Sequence, residues 1–104
     1  MSVLFPKDQR LLQHFGENLK LARLRRKLSS EQVAERAGVS RATLVKMEQG
    51  HPGVGLGHVL NVLKVFNLET ELLNVAKDDV LGRKLQDLRL ATPKRAPKRP
   101  KSEK

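Results

Sequence analysis

A chain of 104 residues with 21 basic residues against 11 acidic ones, a formal charge of +10 and three aromatic side chains fits one small domain plus a tail. Its core has to come from Leu, Val and Ala, which suits short packed helices better than a β-sandwich. The absence of cysteine excludes disulfides, thiolate metal sites and cysteine nucleophiles, and so strong a basic excess points to a polyanionic partner, nucleic acid first.

In chain order, Pro6 can open a first helix and Asp8 suits its positive N-terminal end. Leu12, Phe15, Leu19 and Ala22 then recur at three- and four-residue steps, predicting a helix to about Arg26 that Gly16 weakens in the middle and can divide in two. Ser29 with Gln32 spells a capping box, so a second helix begins there. Val33, Ala34 and Ala37 give it an apolar face, and Gly38 supplies a left-handed stop. Ser40 caps a third helix reaching about Gln49, with Leu44 and Met47 inward and Arg41, Ala42, Val45 and Lys46 outward.

Gly50 closes the third helix, and His51 to Gly57 reads as loop. A fourth helix carries Val59, Leu60, Val62, Leu63 and Phe66 and ends at Asn67. Leu68, Leu72, Leu73 and Val75 belong to a short fifth helix at about 69–76. Val80, Leu81, Leu85 and Leu88 mark a further helical segment set among charges. Residues 91–104 hold six basic residues, one acidic residue and almost nothing apolar, the composition of a disordered basic tail. The resulting division is an N-terminal extension of helix one (1–14), a domain (15–76), a helical segment (77–90) and the tail (91–104).

The segment from Leu28 to Gly50 carries the functional reading. Small Ala34 lets two helices cross closely, Gly38 reverses the chain, and Val39, Leu44 and Met47 pin the helix entered at Ser40, leaving its outer face free for a DNA major groove. The string LSSEQVAERAGVSRATLVKMEQG resembles the helix-turn-helix of the Cro and phage-repressor-like family of bacterial regulators. With LKLARLRRKLSS before it, HPGVGLGHVLNVLKVFNLETELLNVA after it and GRKLQDLRL later, it is similar to the HipB-type branch of DNA-binding antitoxins. The fold class implied is all-α: a five-helix, lambda-repressor-like DNA-binding domain followed by a short helical segment and the tail.

By position, the resemblance implies a base-reading face of Ser40, Arg41, Ala42, Val45 and Lys46. Arg41 is the foremost base contact, because Arg can donate two hydrogen bonds to guanine, and Val45 suits a thymine methyl or the groove edge. Ser30, Gln32, Thr43, Arg26 and Lys27 are expected at phosphates, where they position rather than specify. Ser30 stands where the family usually has a Gln that braces the recognition helix, and it is too short for that contact. Arg23 and Glu48 occupy the positions of a partly buried structural ion pair.

Other features read more plainly. Gly53, Gly55 and Gly57 lack the preceding strand and the following Lys-Ser/Thr of a nucleotide loop, although glycines entering helix four suit a close DNA phosphate. His14, His51 and His58 are too scattered for zinc, and capping explains Ser29 and Ser40 without any activating base. No catalytic constellation, metal or cofactor is expected, so the protein is read as no enzyme. No apolar run approaches the roughly 20 residues of a membrane span, and Met1 to Phe5 hold no signal-peptide segment, giving a cytoplasmic protein associated with the bacterial nucleoid.

The partners expected are double-stranded DNA with a palindromic operator, a second copy of the chain and, by resemblance, a HipA-type serine/threonine kinase that the protein restrains while repressing the operon for both. The alternatives are a stand-alone phage-like or restriction-control repressor, and an interaction module that only inhibits a partner enzyme.

Overall fold

Pro6 has no backbone N–H to leave unpaired in a first helical turn, and in the computed structural model, which describes residues 4–91, helix α1 begins there and runs Pro6–Arg25. The described residues form two units, the first ending at Leu72 and the second beginning at Leu73. The first holds α1, α2 (Ser30–Ala37), α3 (Arg41–Glu48), α4 (Leu56–Val65) and most of a short 3-10 helix (Glu69–Asn74). The fold is all-helical, with no strand among the described residues. The basic tail lies beyond the described residues from 92 onward.

Sequence-local chemistry sets the ends of α2 and α3. The Ser29 hydroxyl accepts a hydrogen bond from the Gln32 N–H at 3.0 Å while the Gln32 side chain accepts one from the Ser29 N–H at 2.8 Å, satisfying two donors at the start of α2. Ser40 does half of this for α3, accepting from the Thr43 N–H at 3.0 Å. The helices α1 to α4 all end in the same way: a left-handed residue, at Lys27, Gly38, Gly50 and Asn67, brings back-pointing N–H groups onto the last carbonyls, as from Leu28 to Arg23, Val39 to Ala34, His51 to Lys46 and Leu68 to Leu63.

At Lys27 this stop is made by a residue with a Cβ at φ 57°, a conformation that costs an L-residue about 1–2 kcal/mol. Lys27→Gly is therefore expected to raise stability in urea denaturation by up to about 1 kcal/mol, and an unchanged or lower midpoint would show that the side chain stabilises the turn by other contacts.

The core is Leu19 and Ala22 of α1, Val33, Ala34 and Ala37 of α2, Leu44 and Met47 of α3, and Val59, Val62, Leu63 and Phe66 in and after α4. Small Ala34 is buried on α2, the helix that packs on both α3 and α4. Leu28, Val39, Val54, Val65, Leu68 and Leu72 close its edges.

Several expectations shift. Gly16 does not divide α1; it is buried, and a Cβ there would lie 2.5 Å from the Glu48 carbonyl oxygen and 2.6 Å from that of Met47. The glycine is the place where α1 and the end of α3 touch backbone to backbone. Phe15, read as part of the core stripe of α1, is 38% exposed, as is Leu60 of α4. Helix α4 starts at Leu56 after Gly55, so the loop is shorter than His51 to Gly57. The fifth helix is a 3-10 helix over Glu69–Asn74, which seats Leu72 against the core while Leu73 and Val75 stay 74% and 70% exposed.

The second unit is built around α5 (Val80–Ala91). The Asp79 carboxylate caps it by accepting from the Gly82 N–H at 2.9 Å. No residue of α5 whose burial is described is buried.

Candidate nucleic-acid interface

Helix α3 owes its placement to Leu44, wholly buried, and Met47, 3% exposed, which sit three residues apart on one face. The same period turns Arg41, Ala42, Val45 and Lys46 outward, and all four are exposed. Thr43 is half-buried, its hydroxyl accepting from the Ser40 hydroxyl at 2.9 Å. The structure thus brings Ser40, Arg41, Ala42, Val45 and Lys46 onto one exposed surface of a helix whose other face is fixed in the core.

Four contacts hold the C-terminal end of that helix to α1. Arg23 donates from Nε to Glu48 Oε2 at 2.8 Å and from Nη2 to Glu48 Oε1 at 3.1 Å, a fork-to-fork pair that fixes orientation as well as distance. Its Nη1 donates to the Leu28 carbonyl at 3.1 Å, so one side chain joins α1, the approach to α2 and the end of α3. The hydrogen bond to Glu48 raises the Arg23 pKa, desolvation opposes it, and the Glu48 charge adds to the rise.

The other three contacts involve glycine. Gly16 meets the Met47 and Glu48 carbonyls as above, and Gly50, in the left-handed region at φ 79°, lies so near α1 that a Cβ would come 2.5 Å from the Gln13 nitrogen. Gln9 completes the clamp by donating from Nε2 to the Gly50 carbonyl at 2.8 Å.

Residues expected beside phosphates occupy varied settings. Ser30 is half-buried in the first turn of α2, on an open cleft of about 570 Å³ whose lining includes Gln13, Lys20, Val45 and Gln49. Gln32 is exposed and engaged in the capping box. Lys27 is exposed at its left-handed turn.

Arg26 is bound into the fold, donating to the Ala22 carbonyl at 3.0 Å and to the Phe66 carbonyl at 3.1 Å. Its guanidinium also lies 5.2 Å from the Phe66 ring centroid, close enough for a cation–π attraction. It therefore ties the end of α1 to the end of α4.

Sequence reasoning passed over Gln9, Lys20 and Gln49. Gln9 and Lys20 lie on α1, whose helical spacing marks only the buried stripe, and Gln49 caps the end of α3. The available signal was Gly16, a helix-weakening residue within an otherwise regular stripe, which marks a close backbone approach and so the side of α1 that meets α3. Among the described residues no group of His, Cys, Asp or Glu could hold a metal ion, and no helix there is long and apolar enough to cross a membrane.

Comparison with known families matches residues 14–76 to the model of a helix-turn-helix domain. Comparison with curated proteins finds no match.

Proposed function

The chain belongs to the helix-turn-helix domain family, a kind of domain that suggests a DNA-binding regulator, and on that footing we propose that it is a sequence-specific transcriptional repressor. The observation carrying this reading is the two-faced α3: Leu44 and Met47 fixed in the core, and Arg41, Ala42, Val45 and Lys46 exposed together. A helix held so firmly can enter a major groove and read base edges at little cost in ordering.

In this reading Arg41 and Lys46 donate to base edges, Ser40 and Ala42 allow close approach, and Val45 meets a thymine methyl. Ser30, Gln32, Thr43 and Lys27 contact phosphates, joined by Arg26 through the N–H donors left after those given to Ala22 and Phe66. The formal charge of +10 supports a salt-dependent phosphate component. One small module offers few base contacts, so two copies act on a palindromic operator with recognition helices about 34–36 Å apart.

We further propose the HipB-like role: repression of the protein's own operon and restraint of a HipA-type kinase, in a cytoplasmic, nucleoid-associated setting. This rests on the resemblance of the segments flanking the helix-turn-helix. Co-purification with a kinase encoded next to it tests the partner. A chain without such a neighbour is the stand-alone repressor instead.

The test of DNA reading is a salt series of binding to the protein's own promoter DNA, comparing the wild type with Arg41→Ala and with Arg41→Ala/Lys46→Ala. Arg41→Ala is expected to cost about 1–3 kcal/mol of discrimination at the base it reads, and the double variant to keep only weak binding that is blind to sequence. If all three proteins bind alike and track salt alone, α3 does not read sequence, and the chain is a module that inhibits a partner enzyme.

A further inference from the structure

Helix α1 meets the end of α3 along one line of residues. Gln9 and Gln13 lie against Gly50, Gly16 against the Met47 and Glu48 carbonyls, and Arg23 against the Glu48 carboxylate. They follow one another at steps of four, three and seven, so they share a helix face. Lys20 completes the series, four residues after Gly16 and three before Arg23, its backbone held between the close backbone contact and the forked ion pair. Its side chain is exposed, and among the described residues its ammonium has no ion pair.

Lys20 lines the open cleft of about 570 Å³ that lies between α1, the first turn of α2 and the outer side of α3. Val45 is the one apolar residue on the walls, unlike the mostly apolar lining of a small-molecule pocket. The volume is many times the roughly 30 Å³ that one water molecule takes in the liquid, room for a hydrated anion but too open to grip one by shape. Val45 also belongs to the outward face of α3 with Arg41, Ala42 and Lys46, so the cleft is continuous with that surface.

From this juxtaposition we propose, building on the DNA-binding reading, that the cleft seats a backbone phosphate of the duplex. Lys20 is its cationic contact, and the Ser30 hydroxyl and Gln49 amide donate to it from the facing walls. The seat adds α1 to the phosphate-contacting elements, on the same seam that fixes α3, so the phosphate and the base-reading face are held in one rigid frame.

The charges of the cleft set how the seat works. Glu48 is neutralised by Arg23, which leaves Glu17 and Lys20 as the unpaired charges of the walls, one of each sign. A free anion therefore meets little net attraction. A phosphate delivered by a docked duplex differs, because α3 fixes where it lies and the long, flexible stem of Lys20 brings a point charge to it. The shorter Glu17 starts about one turn away and acts as a brake, lowering affinity for every duplex alike.

A salt series of full-length protein on its promoter duplex and on an unrelated duplex tests the seat. Lys20→Gln is expected to weaken both by about the same factor, roughly tenfold at physiological salt, and to reduce the salt slope by about one. Lys20→Arg keeps the charge and is expected to stay within about threefold of the wild type, while Glu17→Gln tightens both complexes. Thermal melts of all three variants are expected to match the wild type, since both side chains are exposed and unpaired.

A scan of the promoter duplex with single neutral methylphosphonate linkages then locates the contact. One linkage in each half-site is expected to weaken the wild type and Lys20→Arg but to cost Lys20→Gln nothing further, and Gln49→Ala is expected to be less sensitive to it than the wild type. If the wild type prefers its promoter and Lys20→Gln matches it in affinity and slope, the seat is overturned and the recognition helix stands. Equal sensitivity of Lys20→Gln and the wild type at every linkage would overturn it as well, reducing Lys20 to a long-range attraction. If the wild type binds both duplexes alike, base reading by α3 fails, and the salt slope of Lys20→Gln alone decides whether the cleft holds a phosphate.

Discussion

Glu48→Ala is expected to lower the free energy of unfolding by about 3–5 kcal/mol, the range for stranding one partner of a buried ion pair. The side chains of Arg23 and Glu48 are only 11% and 9% exposed, so water replaces little of what is lost. Arg23 would retain its bond to Leu28, but its Nε and Nη2 would face the gap left by the carboxylate. For a domain of this size 1 kcal/mol shifts the melting temperature by about 4–8 °C, so a fall of at least about 12 °C is expected. Urea denaturation should show a lower midpoint with an unchanged slope. A loss within about 0.5 kcal/mol, the scatter of a neutral surface change, would mean that the pair contributes nothing net. DNA affinity would fall as well, through the fold rather than through a lost contact, so activity has to be compared at equal folded fraction.

The second large effect concerns the two glycines that let α1 and α3 touch. Overpacking by one methyl group costs about 1–3 kcal/mol when neighbours can give way. At Gly16 the obstructing atoms are the Met47 and Glu48 carbonyls, which cannot rotate aside, so Gly16→Ala is expected at about 3 kcal/mol, the top of that range. Gly50→Ala adds the cost of a Cβ at φ 79° to its approach to Gln13, and is expected to be at least as severe. Gly38 is the control: it has a similar φ of 72° and open space within 4 Å, so Gly38→Ala should cost only the left-handed penalty of about 1 kcal/mol. Urea midpoints of the three variants separate conformational cost from steric cost. Equal losses at Gly16 and Gly38 would show that the backbone contact does not hold the helices together.

How far the sequence spoke depended on the distance over which each determinant acts. The caps at Ser29 and Ser40 and the stop at Gly38 involve partners within five residues, and they placed α2 and α3 within about a residue of their observed ends. The packing of Gly16, Gln9 and Gly50 depends on backbone segments far apart in the chain, so Gly16 read only as a flaw in α1. Arg26 meets Phe66 40 residues away, and nothing local distinguishes it from the exposed cations beside it. Phe15 and Leu60 satisfy the helical period and yet lie at the margins of their stripes, because period gives a face and not its width. The outward residues of α3 were legible for the opposite reason: Leu44 and Met47 settle the inward side by themselves. Their contact with DNA is the proposal that the binding experiment tests.

The clamp on α3 also bears on heat and entropy. Its far end is fixed to α1 by a forked ion pair, a side-chain hydrogen bond and two backbone contacts that leave no room for a methyl group. The conformational freedom of this helix is thus surrendered when the chain folds, and almost none remains to be surrendered at a binding event. Any large loss of disorder seen calorimetrically on complex formation must then originate elsewhere, in the duplex, its solvent or other parts of the chain. On the proposed DNA reading, a duplex that does not suit this rigid surface has to bend to it, and the stiffness of its own base steps becomes part of what is recognised.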